Sequence, residues 1–212
     1  MTTAFVIGNG KSRLDFDLRS ISKKGTVFGC NALYRDFADR SVPHFLVAID
    51  DAMITEIECS TFPSTRLIVP PLEERWEPRE LWGALRPPRS NTGMNAIKEA
   101  IKRNHETVVM IGFDFLLQHE PDSVSNVYDG TMNYGPATRA RYSENAARLR
   151  YLGWLVVNNP NTQFFLCMPE SRVQRGVFTF DLPNFTLATK WARYGVDSAP
   201  PSINEVISGK IS

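Results

Sequence analysis

Four polar residues in this chain each follow an apolar run closely. Asn9 comes after residues 4–7, Asn31 after 26–30, Asp50 after 44–49 and Asp114 after 107–111. Each run has the length and composition of a buried strand. In a parallel sheet all four positions would fall on the carboxyl edge, where open α/β sheets bind ligands. The first of them lies in a glycine turn, Gly8-Asn9-Gly10-Lys11-Ser12. Gly8 and Gly10 free the backbone for a tight bend, and free N–H groups in such a bend cradle phosphate. Asn9, Lys11 and Ser12 add an amide, an ammonium and a hydroxyl. Recognition of a phosphate or nucleotide is the chemistry this combination suits. The spacing is not that of a Walker loop, and no third glycine opens a long helix as in the dinucleotide fingerprint. Asn and Asp also favour turns and caps, which alone could account for some of these positions, Asp50-Asp51 among them.

Near-continuous apolar runs without alternation suit parallel strands covered on both faces. Strands are expected near 4–8, 26–30, 44–49, 66–69, 107–112 and 163–167. Between them the connecting pieces are short, so the early helices should be short too. The expected fold is a single α/β domain over 1–195 with a doubly wound, mainly parallel, Rossmann-like sheet. Residues 196–212 read as a loose tail. Residues 71–90, with four prolines, Trp76 and Trp82, read as a surface flap beside a site or as a loop pinned by its tryptophans. Met94, Ile97 and Ile101 share one face of a helix over 94–104, for which Thr92 is a fitting cap. A loop is expected over 116–136. A helix over 137–152 should pair Glu144 with Arg148 and turn Ala146, Leu149 and Leu152 inward. Residues 177–180 and 187–194 fit no element clearly.

The chain has 212 residues, 42% of them apolar and 22% charged, which is ordinary for a globular domain with a real core. A formal charge of +1 gives no general attraction to nucleic acid or anionic membranes. No apolar run approaches the ~20 residues of a membrane span, and no signal peptide is read, so the expected location is cytoplasmic. Cys30, Cys59 and Cys167 are odd in number and far apart, which argues against a disulfide framework or a metal clamp. The three histidines, His44, His105 and His119, form no metal-ligand cluster, and no metal or resident cofactor is expected.

Four segments resemble, in order and rough spacing from about residue 4 to 169, the bacterial sialyltransferases that use CMP-sialic acid. Val6-Ile7-Gly8-Asn9-Gly10-Lys11-Ser12 is similar to their "(A/G)NGPS" turn. Val27 to Tyr34 looks like their strand ending in Cys-Asn before an aromatic residue. Arg89-Ser90-Asn91-Thr92-Gly93 is similar to "R-x-T-S-G", and Ile111-Gly112-Phe113-Asp114-Phe115 to "S-G-I-D-F". Motility-associated glycosyltransferases and pterin pyrophosphokinase-like proteins share the opening turn and an Asp at the third strand end, as Asp50 has here. The resemblance implies a sialyltransferase-like fold and a nucleotide-sugar donor site. In it Gly8, Asn9, Gly10, Lys11 and Ser12 form the donor turn, with Asn9, Gly10 and Ser12 on the phosphate and sugar. Asn31 would lie near the ribose or the transferred sugar. Asn91, Thr92 and Gly93 would line the pocket, and Asp114 would bind the nucleoside. The chain departs from the pattern at Lys11, where the family has proline, and at Leu116, where it has tyrosine. Pro136-Ala137-Thr138 stands in place of its histidine base.

The activity so implied is metal-independent transfer of a sugar from a CMP-sugar or similar donor to a hydroxyl acceptor. It requires a base for the acceptor proton and a stabiliser for the leaving phosphate. Asp50 is the first candidate base and His119 the second, with Tyr128, Tyr134 and Tyr142 as other substitutes. Lys11 could offset the phosphate charge. Asp15-Phe16-Asp17 mimics a metal-binding D-x-D motif but reads as a cap or solvated surface. A second reading is Mg²⁺-dependent pyrophosphoryl transfer, with Asp50, Asp51 and Asp114 holding the metal around a triphosphate. A third is a non-catalytic nucleotide-binding module. The acceptor site could be completed by the 71–90 segment or by a second subunit in a homo-oligomer.

Overall fold

Seven strands form one sheet in the order β4-β3-β2-β1-β5-β6-β7, with every neighbouring pair parallel. The computed structural model describes residues 2–116, 126–135, 142–173 and 176–189. His119, residues 137–141 of the expected helix, the Tyr142 side chain and the expected tail therefore lie outside the described residues. Strands β1 (Thr3–Ile7), β2 (Thr26–Cys30), β3 (Phe45–Val47), β4 (Leu67–Ile68), β5 (Thr107–Ile111) and β6 (Gln163–Cys167) occupy the six apolar runs. β3 and β4 are shorter than the expected 44–49 and 66–69. β7 (Phe185–Ala188) was not legible, because only Phe185 of its four residues is buried.

Successive side chains of a strand point to opposite faces. In β1, Ala4 and Val6 enter one hydrophobic cluster while Phe5 and Ile7 enter the other. Both faces are covered, so the run shows no alternation. On the first face α3 (Thr92–Lys102) and α4 (Tyr142–Val157) bury Met94, Ile97, Leu152 and Val156 against β1, β5 and β6. On the second, α1 (Leu18–Ser22), α2 (Asp51–Glu58) and short 3-10 turns bury Phe16, Ile21, Leu33, Met53 and Ile57. A four-residue helix, α5 (Glu170–Val173), follows β6. No helix among the described residues is long and apolar enough to cross a membrane.

Three local expectations need correction. The cap of α3 is Asn91, whose Oδ1 accepts from the Met94 N–H at 2.9 Å; Thr92 is the first helical residue. Helix α4 continues to Val157, and its inward stripe is Asn145, Tyr151, Leu152, Leu155 and Val156, with Leu149 half-buried against it as expected, while Ala146 is exposed. Arg148 does not pair with Glu144 but donates to Asn145 Oδ1 at 3.1 Å. The D-x-D sequence needs no correction: Asp17 caps α1, accepting from the Arg19 and Ser20 N–H groups, as one of its two readings had it.

The 71–90 segment is both pinned and next to the sheet edge. Glu77 N–H donates to Pro88 O and Ser90 N–H to Arg75 O, around a bridge between Trp76 and Arg89. Trp82 Nε1 donates to Glu77 at 2.9 Å, and Glu74 receives Lys98 and Lys102 from α3. The cysteines are free, and burial pushes the thiols of Cys30 and Cys167 up to about 12.

The chain runs outward from β1 to β4 and then returns through α3 to lay β5 against the other side of β1. At this reversal the strand ends nearly touch. Gly8 N–H donates to Ile111 O at 2.8 Å and Gly10 N–H to Gly112 O at 3.0 Å. Gly112 has φ +76, and a Cβ there would sit 2.8 Å from the Gly8 carbonyl oxygen. Backbone and carbonyl offer no flexible atom to move aside. Gly112→Ala should therefore lower stability by about 1–3 kcal/mol, read as a reduced urea midpoint with an unchanged denaturant slope.

Candidate functional site

A cleft of about 440 Å³ opens at the carboxyl edge of the sheet, beside the strand-order reversal. Its wall takes Gly8, Asn9 and Gly10 from the end of β1, Asn31 from the end of β2 and Asp50 from the start of α2. Asn91, Thr92 and Gly93 come from the start of α3, and Asp114 follows β5. Asn9, Asn31, Asp50 and Asp114, which follow four separate apolar runs, thus line one cleft together with Thr92. Lys11 and Ser12 do not join them: Lys11 is exposed and Ser12 is fully buried behind the turn.

The glycine turn is not a cradle of free N–H groups. Those of Gly8 and Gly10 are spent on β5, and that of Ser12 donates to Asp114 Oδ2 at 3.1 Å. The Ser12 hydroxyl donates to Asp114 Oδ1. A Cβ on Gly10 would fall 2.3 Å from that same oxygen, so glycine is required for the carboxylate to sit there. Asp114, 2% exposed, is first of all a clasp between β1 and β5.

Asn9 is also engaged. Its Nδ2 donates to the Tyr134 hydroxyl at 3.1 Å, and its carbonyl oxygen accepts from Val127 N–H at 2.9 Å. Asn31 adopts φ +50, a conformation that Asn tolerates better than most residues. This aims its Oδ1 at the Thr92 hydroxyl, which donates to it at 3.0 Å. The β2 end and the α3 start are thereby locked together. Asp50 occupies the cap position of α2, yet its side chain makes no cap hydrogen bond. Its half-exposed carboxylate faces Arg89 at 3.4 Å. Asp51 reaches Arg75 at 3.4 Å and does not line the cleft. Among the described residues no group of three or more His, Cys, Asp or Glu side chains is placed to hold a metal.

The tyrosines are poor bases. Burial pushes the Tyr134 phenol up to about 12, with a hydrogen bond to Asn31 opposing the shift, and burial raises Tyr128 as well. Both hydroxyls stay protonated at neutral pH and serve to seat residues 126–135. Arg13, 2% exposed, donates to the Tyr128 hydroxyl at 2.8 Å and to Asp36 at 2.7 Å, and Tyr128 donates to Asp36 at 2.8 Å. Nearby, Glu56 receives Arg35, the Tyr34 hydroxyl and Asn133 Nδ2.

Arg89 and Arg148 also line the cleft. Arg89 was legible only as the first letter of a quoted motif. Arg148 carried no site signal, since an arginine four residues after a glutamate reads as a solvated helix pair. Arg13 was likewise missed; its partners Asp36 and Tyr128 are remote in sequence.

A comparison with known proteins finds no matching family model, no matching curated protein and no matching solved structure.

Ser12→Ala and Asp114→Ala should each destabilise the fold, and in a double-mutant cycle they should couple by about 0.5–3 kcal/mol. Independent effects would dissolve the clasp. A second expectation concerns pH. Burial opposes ionisation of Glu56, but hydrogen bonds from Arg35, Tyr34 and Asn133 outweigh it and hold the carboxyl below its ordinary value. The associated stability is present above the unfolded pKa of about 4.3 and is lost as pH falls through the lowered folded value. Glu56→Gln should cost roughly 1–3 kcal/mol at neutral pH. Urea titrations at successive pH values should show that gap closing under acid conditions.

Proposed function

We propose that this protein transfers a sugar from a nucleotide-activated donor, a CMP-sugar or similar, to a hydroxyl acceptor in this cleft. The observation that carries the reading is the convergence of Asn9, Asn31, Asp50, Thr92 and Asp114 at the carboxyl edge of an all-parallel sheet, where its strand order reverses. The four segments resembling bacterial sialyltransferases supply most of that wall. Asn91 already takes the Met94 N–H, and Thr92 and Gly93 at the start of α3 line the cleft, where the helix dipole favours a phosphate.

In this reading the acceptor oxygen attacks the anomeric carbon while the bond from that carbon to the phosphate oxygen breaks. The phosphate leaves with the electron pair, and Asp50 accepts the acceptor proton. Arg89, adjacent to Asp50, takes the charge role that the sequence assigned to Lys11, because the ammonium of Lys11 lies outside the cleft wall. Asn9 acts mainly by fixing Tyr134 beside Asn31. The Mg²⁺-dependent pyrophosphoryl reading has less support, since Asp114 is clasped to Ser12 and Asp51 lies outside the cleft.

Asp50→Asn should leave donor affinity within about twofold and lower kcat by about 10²–10⁴-fold, the usual worth of a general base. Asn9→Ala should weaken donor binding by roughly 1–3 kcal/mol. Calorimetric titration with CMP and CMP-sugars, paired with transfer assays in EDTA, tests both. Turnover that vanishes with EDTA and returns with Mg²⁺ would move the case to pyrophosphoryl transfer. Donor binding without turnover under either condition would leave a binding module.

A further inference from the structure

Arg148 projects from α4 into the wall of the cleft, and its guanidinium is poorly matched by the protein. Of its five N–H donors, one reaches Asn145 Oδ1 at 3.1 Å. Among the described residues no carboxylate comes within ion-pair distance of it. Glu77, itself 4% exposed, accepts from Trp82 Nε1 instead. Glu77 and Glu144 act on Arg148 only as a longer-range field, and burial draws its pKa below the ordinary guanidinium value.

The neighbouring arginines differ. Arg89 donates to Ile49 O and faces Asp50. Arg75 donates to Pro70 O at 2.8 Å and Ile49 O at 3.1 Å. Arg13 is held by Asp36 and Tyr128. Arg148 is half-buried, and a guanidinium partly drawn from water with no carboxylate in reach among the described residues is unfavourable; an oxyanion arriving from outside reduces that cost. Phe113 and Phe115, 2% and 8% exposed, give the same wall an apolar part, and reduced local polarity strengthens such a pair.

We infer that Arg148 is the oxyanion receptor of the cleft, taking a phosphate or carboxylate group of the ligand through paired N–H···O hydrogen bonds from its planar fork. The assignment rests on the proposed donor reading for the rest of the ligand but not for the oxyanion. In a nucleotide sugar that group is either the phosphate or, where the sugar is acidic, its carboxylate.

Two simple probes separate these sources: inorganic pyrophosphate carries phosphate without carboxylate, and free N-acetylneuraminic acid carries carboxylate without phosphate. Thermal unfolding of wild type, Arg148→Met and Arg148→Lys would be followed against each at low ionic strength. One probe is expected to raise the wild-type Tm in a saturable way, and Arg148→Met is expected to lose at least about tenfold in affinity for it, a difference near 1.4 kcal/mol. Arg148→Lys should recover part of the response. Without ligand, Arg148→Met should melt no lower than wild type, because it removes an uncompensated charge while keeping an apolar stem. The inference is overturned if neither probe stabilises wild type, if Arg148→Met binds as wild type does, or if its ligand-free Tm falls, which would mark a structural arginine. Loss of the pyrophosphate response alongside no binding of any CMP-sugar would sink the transferase reading and keep the receptor. Unimpaired CMP-sugar transfer by Arg148→Met would do the reverse.

Discussion

The carboxyl ends of β1 and β5 approach so closely that neither Gly8, Gly10 nor Gly112 has room for a side chain. Two backbone hydrogen bonds and the Ser12–Asp114 clasp close the gap. In many doubly wound proteins the strand-order reversal leaves a crevice between these two strands. Here that crevice is sealed by the protein itself, and the usable space lies beside the seam, along the ends of β2 and β3 and under the start of α3. A glycine turn that reads as a phosphate cradle is, in three dimensions, a weld.

Everything around the cleft is referred to that weld by polar ties spanning long stretches of chain. Thr92 and Asn31 join the start of α3 to the end of β2. Arg89 and Arg75 both reach the Ile49 carbonyl, fixing the 71–90 segment against the end of β3. The Arg13–Asp36–Tyr128 group and the Tyr134–Asn9 bond seat residues 126–135 against the turn. Such networks favour one arrangement when each donor is matched, and leave any unmatched group exposed as an exception. That contrast singles out Arg148.

How much of this was legible depends on the range of the interaction. The six apolar runs gave six strands, β1, β2, β5 and β6 because burial on both faces leaves a local signature, and the polar residues that follow them fall on one edge by geometry alone. β7 left no such signature: it is four residues long, and beyond Phe185 its side chains are exposed or only half-buried. Asn91 and Thr92 are both good caps, so the choice between them was open until the Met94 N–H was seen to select Asn91. Asp114 looked like a ligand group because its partner Ser12 is 102 residues away in sequence and at hydrogen-bond distance in space. Arg148 looked like surface for the complementary reason: helical periodicity says which face a residue is on, not whether a cleft opens there.

The weld also has a consequence for how the chain must be made. β1 is buried along its whole length and stands at the centre of the sheet, yet it emerges from the ribosome before every other strand. β2 can cover one of its edges soon afterwards. The other edge has no partner until Thr107–Ile111 has been synthesised, so an apolar, hydrogen-bond-hungry strand waits while the whole intervening stretch is made. Open edges of this kind are where partly folded chains associate wrongly. The return of β5 ends that interval, and the same contact closes the carboxyl edge of the sheet beside the cleft.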